Sequence, residues 1–256
     1  MLWPFRNVFR QLILTLLGVG ISSAFAADSN PHHRQTNAVR PQIWPNGIVP
    51  YDISKLTPPQ QTLALRAMQR WMATGAKIQF IPRTNQAEYV FFTGNTAAGN
   101  NTSHIGFEPG KRTDINITAF WWRDLEWMPV HELGHVLGFF HEHQRWDRDQ
   151  FVTIHYENIK AGRDHDYDWI AKTNWLTDSL PYDYHSIMHY RICWASRCES
   201  ECKDGVGTSP CAVIQPRDPQ YDGVIGQWTD NGLSVLDAQK VRLVYGTNQP
   251  TAAVHP

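Results

Sequence analysis

Cysteine is scarce in this chain of 256 residues: all four lie between Cys193 and Cys211, so nothing upstream of them can be stapled covalently. Their spacing lacks the paired C-x-x-C of a zinc finger, and in an oxidising compartment two disulfides are expected instead, with three pairings open. An excess of positive charge is lacking too. Lys and Arg number 23 against 24 Asp and Glu, with no basic run longer than a pair, so the footprint of a phosphate binder is missing and no nucleic-acid partner is expected. After the first 26 residues no apolar run approaches the ~20 residues that span a bilayer, so no stable membrane anchor is expected. Hydrophobic residues still make up 42% of the chain, enough to bury a full core in one domain or in two small lobes.

What is present begins with Arg6 and Arg10, an apolar stretch from Leu12 to Ile21, and Ala24-Phe25-Ala26. That order of basic, apolar and small residues reads as a signal peptide over residues 1–26, and the product is expected to be secreted. Residues 27–43 are polar and aperiodic, a leader or short propeptide. Residues 48–53 read as a first strand. Thr57-Pro58-Pro59-Gln60 then carries the marks of a helix start: a capping hydroxyl, a proline at the first helical position and a glutamine three residues after the cap. Leu63, Ala64, Ala67, Met68, Trp71 and Met72 recur at helical spacing behind it, and Gly75 is a suitable stop. Short strands are expected over residues 77–81, 89–93, 103–107, 114–118 and 151–159, and a last helix from Ser234 to Gly246. The 11 tryptophans read as core and cleft-wall residues rather than a sugar-binding surface.

The stretch around which the rest is organised starts at His131: His-Glu-Leu-Gly-His-Val-Leu-Gly-Phe-Phe-His. On a helix His131 and His135 fall one above the other, so both imidazoles can reach a single ion. Glu132 projects a fraction of a turn away, where its carboxylate can take a proton from metal-bound water without itself coordinating. Gly138 can end the helix in the left-handed region, and the reversal brings His141 round as a third ligand. Three protein ligands leave a fourth position open, the arrangement of a catalytic zinc site. H-E-x-x-H alone turns up in roughly one shuffled chain in sixty; with Gly138 and His141 added the odds fall to roughly one in tens of thousands. A core helix with two incidental histidines is thereby disfavoured.

The run from His131 to Asp149, with Glu142 directly after the third histidine, resembles the astacin metallopeptidases of the metzincin clan, and Ser186-Ile187-Met188-His189-Tyr190 resembles that family's Met-turn. Trp44, Gly47, Pro50 and Tyr51 resemble the start of its mature domain, residues 80–83 one of its strands, and residues 233–245 its closing helix. The resemblance implies an α+β fold of two lobes in a domain over residues 44–256. The N-terminal lobe, about 44–140, would hold a twisted mixed sheet, a backing helix and the active-site helix; the C-terminal lobe, about 141–247, would be largely irregular with a closing helix. It implies one Zn2+ per chain on His131, His135 and His141, Glu132 as catalytic base, and Tyr190 close to the metal as a second catalytic residue. It also implies that residues 103–107 form an edge strand on which an extended protein or peptide substrate is bound by a monomer. Aligning Trp44 puts the mature start near Gln35, after cleavage at Arg34, with the freed amino terminus directed at Glu142. The family's Phe-x-Gly-Asp latency motif is missing, and Asp28 is the only acidic residue between position 26 and Asp52.

The expected function is therefore that of a secreted zinc-dependent endopeptidase. Two rivals share the site: a zinc-stabilised binding protein or adhesin without hydrolysis, and an amidase acting on cell-wall peptides. Glu132 weighs against the first, since a structural site has no use for a base there.

Overall fold

Two buried tryptophans, Trp44 and Trp71, fix how the layers of this protein meet, and both do so by donating an indole N–H to the backbone of one helix. The structure is a computed structural model that describes residues 34–94, 101–118, 127–203, 209–227 and 232–247. The expected signal peptide, and the leader as far as residue 33, lie outside the described residues. Those described fall within one compact unit.

Five strands form the main sheet: β1 (Ile48–Asp52), β2 (Gln79–Pro82), β3 (Val90–Phe92), β4 (Asn101–Thr102) and β5 (Thr113–Asn116), in the order β2-β1-β3-β5-β4. The first four in that order are parallel, and β4 runs antiparallel along the edge. β1 pairs with β3 only from Tyr51 onward, so Pro50, which has no N–H to donate, sits where that ladder has not yet begun. Helix α1 (Pro58–Met72) crosses between β1 and β2 and starts as expected, with the Thr57 backbone N–H donating to Gln60 Oε1 at 2.9 Å. Its small inward residues Ala64 and Ala67 allow close approach, while Met68 and Trp71 fill the space beneath.

Helix α2 (Trp127–Val136) lies against α1 and carries the first two histidines. It ends at Gly138, which adopts φ 98° as expected from the sequence. The carbonyls exposed at this end all find donors. His135 O accepts from the N–H groups of Gly106 and Gly138 at 2.8 and 2.9 Å, Val136 O from Trp44 Nε1 at 2.9 Å, and Leu137 O from Tyr245 Oη at 3.1 Å. Trp71 Nε1 donates to Val130 O at 2.9 Å near the other end. The helix is therefore pinned by side chains from three separate parts of the chain.

Beyond α2, short 3-10 turns replace regular structure among the described residues, apart from the antiparallel pair β6 (Val152–Ile154) and β7 (Ile214–Pro216) and helix α3 (Val235–Tyr245). A second core of Val152, Tyr167, Tyr182, Ile192, Val213 and Ile225 supports this lobe. Ile187, Met188 and Val241 depart from the division into lobes by packing into the first core with α1 and the sheet. The four cysteines form two local disulfides, Cys193–Cys202 and Cys198–Cys211, and none is free.

Two expected strands need correction, and a third strand was not expected. The strand foreseen over residues 103–107 is displaced: β4 stops at Thr102, and the chain bends away because Gly106, at φ 79°, turns its N–H to His135 O while Phe107 pairs with Gln42. The strand foreseen over residues 151–159 is cut to Val152–Ile154, because Asn158 turns inward and its Nδ2 donates to Pro210 O and Ala212 O at 2.9 and 2.8 Å. Strand β7 was not foreseen; its three residues are too few for alternation to be read.

Gly47 marks the tightest passage in the sheet. At φ 70°, a Cβ there would stand 1.9 Å from the Lys77 carbonyl oxygen, a backbone atom that cannot step aside. Gly47→Ala should therefore destabilise the disulfide-intact protein by about 2–4 kcal/mol in denaturant unfolding. A loss below about 0.5 kcal/mol would show that this approach is looser than described.

Candidate metal centre

Helix α2 and the turn after it bring His131, His135 and His141 together, so that their ligand atoms lie within 4.8 Å of one another. His141 Nε2 is 3.2 Å from His131 Nε2 and 3.1 Å from His135 Nε2. Zinc held tetrahedrally at about 2.0–2.1 Å from each nitrogen sets its ligands roughly 3.3 Å apart, so the spacing fits such an ion. The other nitrogen of each ring decides the tautomer. His131 Nδ1 donates to Ile187 O at 2.7 Å, His135 Nδ1 to Phe139 O at 2.8 Å, and His141 Nδ1 to Gln144 Oε1 at 3.2 Å. Every Nδ1 thus carries its proton outward, and every Nε2 lone pair faces the common point. Burial pushes the pKa of His131 down to about 4 and that of His135 to about 3, and lowers that of His141 too, so the rings are held in the neutral form a cation needs.

Glu132 is buried beside them, with Oε2 accepting from Thr102 Oγ1 at 2.7 Å. Burial raises its pKa to about 7 against the opposing effect of that hydrogen bond. Thr102 comes from the edge strand β4, and neither it nor Gln144 stands out in the sequence. Nothing in one sequence marks a threonine 30 residues upstream as the partner of a glutamate.

Tyr190 lies on the same cleft, with its ring centroid 4.3 Å from that of His141 and 4.2 Å from that of His143. Burial raises its phenol pKa. Met188 is buried against α2 between the first two histidines and forms a hydrophobic floor there. A Cβ on Gly134 would come within 2.3 Å of Met188 Sδ and 3.2 Å of the Trp71 ring, so only a bare helix face admits that floor. The remaining cleft wall is mostly apolar or aromatic, Ile105, Trp127, Met128 and Trp194, with one charged residue, Arg191. His143 and His189 are hydrogen-bonded core histidines, His143 Nε2 donating to Asp166 O at 3.0 Å and His189 Nδ1 to Tyr190 O at 2.7 Å.

The charged run after the third histidine folds back as an ion-pair cluster. Arg145 grips both oxygens of Asp147 at 2.8 Å and reaches Glu142 Oε1 at 3.2 Å, and Arg148, fully buried, donates to the carbonyls of His143 and Tyr167 and to Tyr156 Oη. Glu142, directly after the third histidine, is engaged at both carboxylate oxygens. Its Oε2 accepts from Lys240 Nζ at 2.7 Å, and its Oε1 also accepts from the Asp183 N–H at 2.9 Å.

Residues 36–246 match the family model described as Astacin, a peptidase family. The chain belongs to the astacin family. It is 33% identical over 222 residues to zinc metalloproteinase nas-14 of Caenorhabditis elegans, an alignment covering 84% of this chain and 40% of that protein. With Tolloid-like protein 2 of Homo sapiens it shares 32% identity over 241 residues, 93% of this chain and 21% of that one. The astacin domain here thus spans well under half the length of either relative. Among solved structures, high choriolytic enzyme 1, a hatching enzyme zinc-protease from Oryzias latipes, superposes with a TM-score of 0.64 at 26% identity, covering 81% of this chain and 94% of that one. The mixed α/β fold with its mostly parallel sheet is that of an astacin-type metzincin domain.

Three histidines of ordinary pKa would lose roughly a thousandfold in apparent metal affinity between pH 7.5 and 5.5, because protons compete for each lone pair. Rings whose pKa is already depressed bind no proton in that interval. Zinc affinity measured by chelator competition should accordingly fall by less than about tenfold over the same range. A loss of the full thousandfold would mean that the rings are not held neutral.

Proposed function

We propose that this protein is a secreted zinc endopeptidase in which Glu132 serves as general base and Tyr190 steadies the developing oxyanion. The observation that carries the reading is the convergence of three Nε2 atoms at zinc spacing beside a buried carboxylate. Zinc on His131, His135 and His141 would lower the pKa of a bound water from 15.7 to about 7 and polarise the peptide carbonyl. Thr102 occupies Glu132 Oε2 and turns the carboxylate, leaving the other oxygen to accept the proton and return it to the leaving nitrogen. The raised pKa of Glu132 suits a group that must both take and give a proton near neutral pH. Tyr190 is placed by its contacts with His141 and His143, within reach of the same cleft.

An extended substrate would pair with the outer edge of β4, the strand whose Thr102 holds the base, so that binding and proton transfer share one element. Because β4 ends at Thr102, this reading takes Asn101–Thr102 rather than residues 103–107 as the pairing edge. All the groups invoked come from one chain, and a monomer suffices. Secretion is supported by the signal-like residues 1–26, by two disulfides, and by the described residues containing no helix long and apolar enough to cross a membrane. A non-hydrolytic adhesin has less support, because a binding site needs no buried carboxylate held by a threonine hydroxyl. Assays on protein, free peptide and peptidoglycan separate the peptidase from the cell-wall amidase.

Glu132→Gln should keep stoichiometric zinc yet lower peptide cleavage by at least ~100-fold. Unchanged cleavage would remove Glu132 from the mechanism. Tyr190→Phe should cut kcat by about tenfold or more with little change in KM, as expected when one donor to an oxyanion is lost. Equal losses in binding and turnover would instead make Tyr190 a packing residue. Chelation should abolish activity and added zinc restore it.

A further inference from the structure

Lys240 is a charged residue on the inner face of α3, only 4% exposed. A buried ammonium is costly unless carboxylates surround it, and three do: Glu142 Oε2 at 2.7 Å, Asp237 Oδ1 at 3.8 Å and Asp183 Oδ2 at 4.0 Å. Each belongs to a different part of the metal site's support. Glu142 follows the ligand His141 directly, and its N–H donates to Met188 O at 2.9 Å. Asp183 opens the turn that leads to Met188, donating its N–H to Glu142 Oε1 at 2.9 Å. Asp237 accepts from Ser186 Oγ at 2.7 Å and from the Ile187 N–H at 2.8 Å, and Ile187 O in turn orients His131.

We propose that Lys240 is a positioning residue that locks His141 and the turn beneath the metal to α3, taking the place at Glu142 that a freed chain terminus would fill, so that the metal site forms without cleavage before Gln35. Two further observations support this. Arg145 Nη1 and the Asp183 N–H hold Glu142 Oε1, and Lys240 holds Oε2, so both carboxylate oxygens are already engaged. The segment around Gln35 is bonded elsewhere: Trp169 N–H donates to Arg34 O at 2.9 Å, Thr36 N–H to Trp169 O at 2.8 Å, and Asn174 Nδ2 to Ala38 O at 2.6 Å.

The inference rests on the peptidase reading only for its kinetic arm; zinc affinity tests it independently. Protein carrying residues before Gln35 should be compared with protein whose amino terminus is Gln35, both verified by intact mass. Zinc affinity by chelator competition and kcat/KM on a peptide should agree within about twofold between the two. Lys240→Met should lose tenfold or more in zinc affinity and lower kcat more than KM, while Lys240→Arg, which keeps the cation, should recover most of both. Should Lys240→Met fail to fold, Glu142→Gln combined with Lys240→Met removes one buried charge of each sign, spares Glu142 from being left without its cation, and carries the test, with the same tenfold loss of zinc affinity expected. The proposal is overturned if zinc affinity or kcat rises tenfold or more when the terminus moves to Gln35, or if Lys240→Met or the double variant binds zinc like the wild type. Zinc binding with these dependences but no peptide cleavage would sink the peptidase reading and leave the role of Lys240 standing.

Discussion

Three neutral imidazoles that aim their lone pairs at one point on the floor of a cleft form an arrangement no chain adopts by default. The lone pairs repel one another, and partial burial leaves them less solvent than free rings would have. What holds the rings is a hydrogen bond on the far side of each, from Nδ1 to Ile187 O, Phe139 O or Gln144 Oε1. Those acceptors are fixed in turn. The Ile187 N–H is held by Asp237, the Phe139 N–H by Gly134 O at 3.0 Å, and the Gln144 amide by Asp168 O at 3.3 Å. The ligand geometry is thus maintained through two successive layers of hydrogen bonds, the outer one drawing on Asp237 and Asp168, distant in sequence, as well as on Gly134 in the helix itself.

The apolar part of the fold serves the same end. Trp44 and Trp71, buried, and Tyr245, partly buried, each combine a large ring with one polar atom, and each directs that atom to a carbonyl of α2 or the turn that follows it. Packing and hydrogen bonding therefore act on the helix together, and a substitution that preserved only ring volume would lose half the effect. Gly134 completes the arrangement from within. With no Cβ on that face of α2, Met188 and the Trp71 ring close directly on its backbone, and the turn that carries Ile187 comes near enough to reach His131.

The parts legible in the sequence were those encoded by close spacing. His131, Glu132, His135, Gly138 and His141 lie within eleven residues, and helical geometry together with a left-handed reversal at Gly138 predicts their meeting. The starts of α1 and α3 were legible for the same reason, since Thr57 with Gln60, and Ser234 with Asp237, cap helices across three residues. Contacts between distant residues left no such mark. Thr102 on Glu132, Asp237 under Ile187 and Lys240 against Glu142 are joined only by the fold. Asp237 shows the limit well: its place in the capping box could be read, but the same carboxylate also supports the turn at Ser186 and Ile187, and that second duty could not. The strand ends at residues 103 and 155 were misjudged because a backbone N–H and an asparagine side chain found better partners off the sheet. The disulfide pairing was open because four cysteines within nineteen residues allow any combination until the loop geometry is known.

Helix α3 has a consequence for how such a protein comes into being. Domains generally take shape as the ribosome delivers them, N-terminal parts first. Here the histidines and the sheet emerge early, yet Asp237, Lys240 and Tyr245, which brace His131, His141 and the end of α2, are among the last residues described. A nascent polypeptide therefore carries every ligand for its ion long before it can hold them in register. The final eleven-residue helix completes the centre by docking, which places the birth of a competent site after translation has passed residue 245.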